Sequence, residues 1–324
     1  MIEDDYLYNK GGIKGFGAKL RGFFTSGRFW LRAFAVIVVL ALIYYPVGMI
    51  IVQNIDDNTD FTGNYQGGSH AVATAAALID REVNQHDWTA NDPFFMPGAA
   101  LDNMPNYQTG IIYALSRFAI EMSDQIGRAR GSSQVDSDLD NAAGALKFRG
   151  DKWVFDPSIS LLPGVSSEQQ YRQAISALLR YNERLAAGNA VFERRADNLQ
   201  ETLGRIANDL GSASALIDNK VAHPSIFDTT ADDVFYATKG RLYTYSLILR
   251  DLGTDFENIL NERQVSQIWA EMVASLQSAA KLDPLVVING SADGIILPNH
   301  LAGLGFYLLR ARTQMNEIIS ILQR

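Results

Sequence analysis

Four histidines are the first residues to consider for acid–base or metal chemistry, and they are widely scattered, at His70, His86, His223 and His300. No two of them lie four positions apart, the spacing at which one helical face presents both rings to a zinc ion. The Glu-x-x-His pattern of di-iron helical bundles is absent as well. We therefore predict no metal site and no cofactor.

One spacing does bring a carboxylate and an imidazole together on a helix. Glu82 and His86 lie four positions apart, and Asp87 follows directly. Such a group can build a metal site or a proton relay, but the same spacing is found more often in surface ion pairs. We favour the surface ion pair.

Other motifs of catalysis fail on particular residues. Asp136-Ser-Asp-Leu-Asp140 begins like a calcium-binding loop, yet Asn141 stands where that loop needs glycine and Lys147 where it needs glutamate. We interpret it as the solvated start of a helix. The chain has no cysteine, which excludes thiolate ligands and cysteine nucleophiles, and no Gly-x-Ser-x-Gly motif. No catalytic residue is predicted.

The segment from Trp88 to Tyr107 is the best candidate for a binding surface. It combines three prolines with aromatic and polar side chains, and it lies between two predicted helices. Such a loop can frame a pocket or present aromatic rings to a partner. The candidate residues are Trp88, Asp92, Phe94, Phe95, Asp102, Asn103 and Tyr107. A second interpretation, which we favour because apolar aromatics are mostly buried, is that these rings only complete the core.

An uncharged run precedes this segment and predicts a membrane anchor. Ala33 to Val52 contains neither a charge nor a strongly polar side chain, and as a helix it extends about 30 Å, the thickness of a bilayer core. A cleaved signal peptide has a shorter apolar core and a small-residue cleavage site, which this run lacks. We predict a retained, single-pass signal-anchor helix at residues 33–55. It separates a tail at residues 1–32 from an outer domain at residues 56–324, with a possible subdivision near residue 165.

The distribution of charge predicts orientation and partners. The tail carries six basic and three acidic residues, whereas residues 56–324 carry 22 basic and 33 acidic ones. Because basic flanks stay in the cytoplasm, we expect the N-terminus inside and the acidic domain outside. The acidic balance argues against nucleic acid as a partner. The lipid bilayer is the predicted partner of residues 33–55.

Apolar residues recur at helical spacing through the outer domain, which predicts an all-α fold. Helices are expected at residues 69–85, 105–128, 230–252, 256–282 and 300–323. A seven-residue repeat also starts at Tyr171 and keeps its phase across Gly188, which favours one long helix over residues 166–219. Two interpretations stay open for it: an intermolecular coiled coil or, as the polar Asn182 and Asn189 favour, a helix of an internal bundle.

Two glycine-containing turns between short β-like runs predict small hairpins on this helical body. The first joins Phe148 to residues 153–155, and the second joins residues 285–288 to residues 295–297.

The chain resembles a family of bacterial membrane proteins, domain of unknown function 2333, in residues 88–118, 153–156, 192–197 and 232–236. The likeness extends over nearly the whole chain, including the anchor. It implies a protein of the bacterial inner membrane with a periplasmic domain. It implies no activity and no functional residues, because the family has none assigned.

These patterns favour a membrane-anchored periplasmic binding or scaffold protein of the cell envelope, with an envelope protein or a second copy of itself as partner. One alternative is an envelope hydrolase, or a lipid- or glycan-modifying enzyme, that uses carboxylates such as Glu82, Asp92 or Asp102. Another is a ligand-sensing subunit that acts through a partner. A cleft that brings buried carboxylates together would favour the enzyme, and a flat apolar face along residues 171–217 the scaffold.

Overall fold

The computed structural model describes residues 27–128, 134–155, 162–225, 228–290 and 298–324, and the chain divides into two units, residues 1–51 and 52–324. The predicted apolar helix near the N-terminus is confirmed as α1 (Gly27–Val52). Among the described residues, it is the one helix that is long and apolar enough to cross a membrane. None of its residues is buried, whereas a core helix of a soluble protein would be.

Two helices of the second unit are capped by the serine at which the sequence predicts a helix to begin. Ser69 and Ser166 accept hydrogen bonds from the backbone N–H groups of Val72 and Gln169, and each precedes a helix. The described helices of this unit are α2 (His70–Asp80), α3 (Asn103–Glu121), α4 (Ser137–Leu146), α5 (Ser167–Ala186), α6 (Ala196–Ala222), α7 (Ala231–Asp255), α8 (Glu257–Glu262), α9 (Ser266–Ala280) and α10 (His300–Leu322).

The predicted all-α class is confirmed, but the predicted hairpins are not supported. No β-strand occurs among the described residues. In the first turn, Ser167 Oγ accepts a hydrogen bond from Lys152 N, so that a side chain takes the place of a partner strand. Near the second turn, Asn289 makes only isolated bridges, to Ser225 and Asn299. The second arm of that hairpin, residues 295–297, lies outside the described residues.

The prediction of one long helix over residues 166–219 is wrong, because the helix is interrupted between α5 and α6. Gly188 has a φ of +74°, a left-handed conformation that glycine adopts without strain. The N–H of Asn189 donates to the carbonyl of Arg184 at 2.7 Å, and that of Gly188 to Leu185 at 3.0 Å, the two bonds of a Schellman motif. The repeat kept its phase because Phe192, in the connecting segment, is also buried.

Helix α7 is surrounded by other helices of the second unit. Residues 242–249 are all buried, which is the pattern of a helix packed on every side. Its crossing with α3 is close because each of the two helices places a glycine against the backbone of the other. A Cβ atom on Gly110 would lie 2.2 Å from the carbonyl oxygen of Ala237, and one on Gly240 would lie 2.2 Å from that of Tyr107.

Two helices continue into a wider, π-helical turn. Residues Arg81–Gln85 follow α2 in this form, and residues Met122–Ile126 follow α3. Such turns often occur at functional sites. The first turn contains the buried carboxylate of Glu82, and the second directly follows the buried Glu121.

Candidate functional site

Four aromatic side chains form a continuous surface, which we call the aromatic surface: Phe94, Phe95, Trp153 and Phe155. Consecutive rings meet edge to face, with centroids 5.4 Å apart for Phe94 and Phe95, 5.6 Å for Phe95 and Trp153, and 5.5 Å for Trp153 and Phe155. Phe94 is 84% exposed, and Phe95 and Phe155 are each 46% exposed. Large apolar side chains this exposed are available to a partner.

Two other aromatics of the candidate segment belong to the core instead. Trp88 is buried, donates its indole N–H to the carbonyl of Gly150 at 2.8 Å and packs edge to face on Tyr171. Tyr107 is fully buried and donates its hydroxyl to the carbonyl of Asp56 at 2.8 Å. The candidate segment therefore divides into core residues and exposed ones.

The polar candidates of the segment occupy different environments. Asp102 is exposed, directly before α3. Asn103 is half-buried, and its Oδ1 is buried without a hydrogen bond from any residue that the structure describes. Burial, together with the charges of Asp87 and Glu168, raises the pKa of Asp92 to about 6.

The interpretation of Glu82 and His86 as a surface ion pair is wrong, because Glu82 is fully buried. Its Oε1 accepts a hydrogen bond from Arg81 Nε at 2.8 Å and lies 3.7 Å from His86 Nδ1. Among the described residues, no group of three or more histidine, cysteine or acidic side chains is placed to hold a metal ion.

Arg81 joins this buried carboxylate to residues 56–61, which we call the strap. Only 2% of Arg81 is exposed, and its Nη1 lies 3.0 Å from Asp56 Oδ2 while its Nη2 donates to the Asp56 carbonyl at 3.1 Å. Tyr243 donates its hydroxyl to the carbonyl of Asn58 at 3.0 Å. A buried guanidinium requires such partners, since an unpaired buried charge is very costly.

Two cationic side chains of α7, Lys239 and Arg250, also bind the strap. Lys239 is fully buried, and its Nζ lies 2.8 Å from Asp57 Oδ2 and donates to the carbonyl of Leu282 at 2.8 Å. Arg250 donates to the carbonyls of Thr59 and Phe61 at 2.9 and 2.8 Å. The strap, which begins four residues after the end of α1, is therefore part of the folded second unit.

A groove of about 270 Å³ lies between α3 and α6 and is lined by both carboxylates and guanidiniums. Asp209 is buried in its wall and accepts a hydrogen bond on each oxygen, from the Tyr113 hydroxyl at 2.7 Å and the Tyr245 hydroxyl at 2.8 Å. Arg117 donates to the Tyr113 oxygen from Nε at 3.3 Å and from Nη2 at 3.2 Å.

Glu121 is the second acidic residue that lines the groove, and its environment is different. Its Oε1 lies 3.3 Å from Arg205 Nη1, whereas its Oε2 is buried and receives no hydrogen bond from any residue that the structure describes. Burial raises the pKa of Glu121 to about 7, and the charges of Asp124 and Glu201 act in the same direction against that of Arg205. This carboxyl group therefore titrates near neutral pH.

A family model described as uncharacterized protein conserved in bacteria (DUF2333) matches residues 24–231 and 228–324. The chain belongs to this family. Neither a curated protein nor a solved structure matches it. The aromatic surface, the strap and the groove are the features of this DUF2333 member that bear on its function.

The groove of this DUF2333 protein was not anticipated from its sequence, although a signal for it exists. Glu121 lies between Phe118 and Met122 on the apolar stripe of α3, and Asp209 lies next to Leu210 on that of α6. A charged residue on a buried helical face needs a partner or a function. The same test would have singled out Lys239.

Proposed function

We propose that this protein is a membrane-anchored binding protein of the bacterial cell envelope, and that its helical body binds a partner protein through the aromatic surface. The observation that carries the proposal is the exposure of Phe94 within a row of rings that touch edge to face. Covering a phenylalanine side chain gains about 1.5–3 kcal/mol, and aromatic residues dominate the energetics of many interfaces. A partner with a matching apolar pocket would recover this free energy.

The placement of the body outside the cytoplasmic membrane belongs to the same proposal. Basic residues precede α1, and the strap behind it is acidic, with Asp56, Asp57 and Asp60. The positive-inside rule then directs the N-terminus to the cytoplasm. Alkaline phosphatase fused after Arg324 should be active. Green fluorescent protein fused at the same position should not fluoresce, because it does not fold after export in unfolded form by the general secretory route. The reverse pattern would contradict this orientation.

Site-specific photocrosslinking in living cells tests the binding surface. We expect p-benzoylphenylalanine in place of Phe94 to give a discrete adduct, whereas the same probe in place of Phe306, also exposed, should not. Phe95→Asp should abolish the adduct at position 94, because a charge would have to enter the apolar contact. Equal labelling from both positions, or an adduct that survives Phe95→Asp, would contradict the proposal.

Two differently tagged copies distinguish an envelope protein from a second copy of this chain as the partner. An adduct that carries both tags identifies self-association. An adduct with one tag and a reproducible added mass identifies another protein.

Hydrolysis by a pair of carboxylates is less well supported than binding. Glu121 and Asp209 line one groove, but both oxygens of Asp209 already accept hydrogen bonds from tyrosine hydroxyls. A carboxylate that attacks or deprotonates a substrate needs an oxygen that can reach it. The groove therefore favours ligand binding over the enzymatic alternative.

A further inference from the structure

The groove between α3 and α6 lies apart from the four residues of the aromatic surface and raises a separate question of what it holds. Its polar lining includes Tyr113, Arg117, Glu121, Arg205 and Asp209. A volume of about 270 Å³ is slightly below the range of sites for drug-sized ligands, so it suits a smaller molecule.

An unpaired atom of a residue that lines the groove points to a ligand with a hydrogen-bond donor. Glu121 is 3% exposed and lines the groove, yet its Oε2 receives no hydrogen bond from any described residue. Leaving a buried acceptor unpaired costs free energy, and such groups in folded proteins usually have a partner. An ammonium group would supply the missing donor and an opposite charge.

A second feature, one helical turn away, points to an acceptor on the same ligand. Arg117 lies four positions before Glu121 on α3, so both side chains leave the same face of the helix. The Arg117 side chain is exposed, and its guanidinium carries five N–H donors, of which Nε and Nη2 contact Tyr113. The remaining donors suit a carboxylate.

We propose that this groove binds a small zwitterion of the α-amino acid class, whose ammonium group donates to Glu121 Oε2 and whose carboxylate accepts from Arg117. An amine alone leaves the guanidinium unused, and a carboxylate alone leaves Oε2 unpaired and faces two acidic side chains. The ligand's two charged groups are separated by one carbon atom, and Arg117 and Glu121 are neighbours on one helical face.

Proton release should accompany binding. An ammonium ion beside Oε2 favours the ionised form of Glu121, so the carboxyl proton leaves when the ligand binds near neutral pH. Other charged groups that act on Glu121 are Arg205, Asp124 and Glu201. Affinity should therefore rise with pH up to about 7 and level off above it.

Isothermal titration calorimetry on the full-length protein in detergent tests the proposal with the twenty α-amino acids as separate probes. Ethanolamine, acetate and N-acetylglucosamine serve as probes of an amine, a carboxylate and a neutral polyol. We expect at least one amino acid to bind at least tenfold more tightly than each of these three. Its binding heat should differ between two buffers of different ionisation enthalpy, as proton release requires.

A matched pair of variants locates the binding. Glu121→Gln keeps the size of the side chain but loses its charge, so we expect at least tenfold weaker binding and no proton release. Glu183→Gln makes the same change at an exposed position of α5 that does not line the groove, and it should change affinity less than twofold. Failure of all twenty amino acids, tighter binding of N-acetylglucosamine, or unchanged binding by Glu121→Gln would overturn the proposal. None of these results bears on the aromatic surface.

Discussion

Asp56 and Arg81 form an ion pair, with 3.0 Å between Oδ2 and Nη1, that fastens the strap to the interior of the helical body. The arginine belongs to the π-helical turn after α2, and the aspartate comes four residues after α1. Because Arg81 also binds the buried Glu82, the pair continues inward as a chain of three charged groups. The residues that follow α1 are thereby fastened to the second unit and do not form a loose linker.

Arg81→Met should be strongly destabilising. It leaves the buried carboxylate of Glu82 without its cation, a change that typically costs about 3–5 kcal/mol. The measurement is urea unfolding of the full-length protein in detergent, followed by circular dichroism. Arg180→Met is the control, since Arg180 is largely exposed beside Asp138 and its loss should cost at most about 1 kcal/mol. A second change, Glu82→Leu, should restore part of the stability. Equal effects of the two arginine variants would contradict the buried network.

Gly188 and Gly204 should respond to alanine in opposite directions. Gly188→Ala places a Cβ atom on a left-handed residue and should cost about 1 kcal/mol. Gly204→Ala lies inside α6 with open space around the new methyl group, so it should stabilise the protein by about 0.5–1 kcal/mol. Thermal unfolding of both variants measures the difference. A stabilising Gly188→Ala would instead support a continuous helix over residues 166–219.

Phe94→Ser and Trp88→Ala should separate the exposed part of the candidate segment from the buried part. Phe94 is 84% exposed, so its replacement should leave the unfolding midpoint unchanged while it weakens the crosslinked adduct made from position 95. Trp88 is buried, and its truncation should cost about 3–5 kcal/mol. Denaturant unfolding and the crosslinking yield are measured on the same preparations. A large loss of stability in Phe94→Ser would show that this ring serves the fold.

Glu121 should contribute a fall in stability as the pH rises toward neutrality. Its pKa of about 7 in the folded protein exceeds its ordinary value of 4.5, so the folded state holds the proton more tightly than the unfolded state does. The stabilisation is therefore complete below about pH 4.5 and is lost as the pH rises through about 7. Urea midpoints at pH 5, 6, 7 and 8 should decline less steeply in Glu121→Gln. Asp92 contributes a fall of the same sign at lower pH, which this variant leaves in place. Identical pH profiles of the variant and the parent protein would contradict the raised pKa.

Much of the fold was predictable because the signals that specify a helix lie close together in the sequence. The apolar run of α1, the caps Ser69 and Ser166, and the spacing of apolar residues in α3, α7 and α10 each lie within a few residues of one another. Capping side chains do not mark every helix start. Helix α9 follows Val265, which makes no capping side-chain bond, and the preceding Gln264 is left-handed. The helix expected over residues 256–282 is therefore divided into α8 and α9.

The sequence by itself determined the apolar N-terminal helix, the helical class and most helix starts, because those depend on composition and short-range spacing. Only the tertiary structure decided which side chains of the candidate segment are covered. Trp88 reaches Gly150 and Tyr107 reaches Asp56, whereas Phe94 remains exposed, although all three are aromatic. Likewise Glu121 and Arg205 meet across 84 residues of sequence at the groove. Pairing at such separations depends on how helices pack, and no local pattern specifies it.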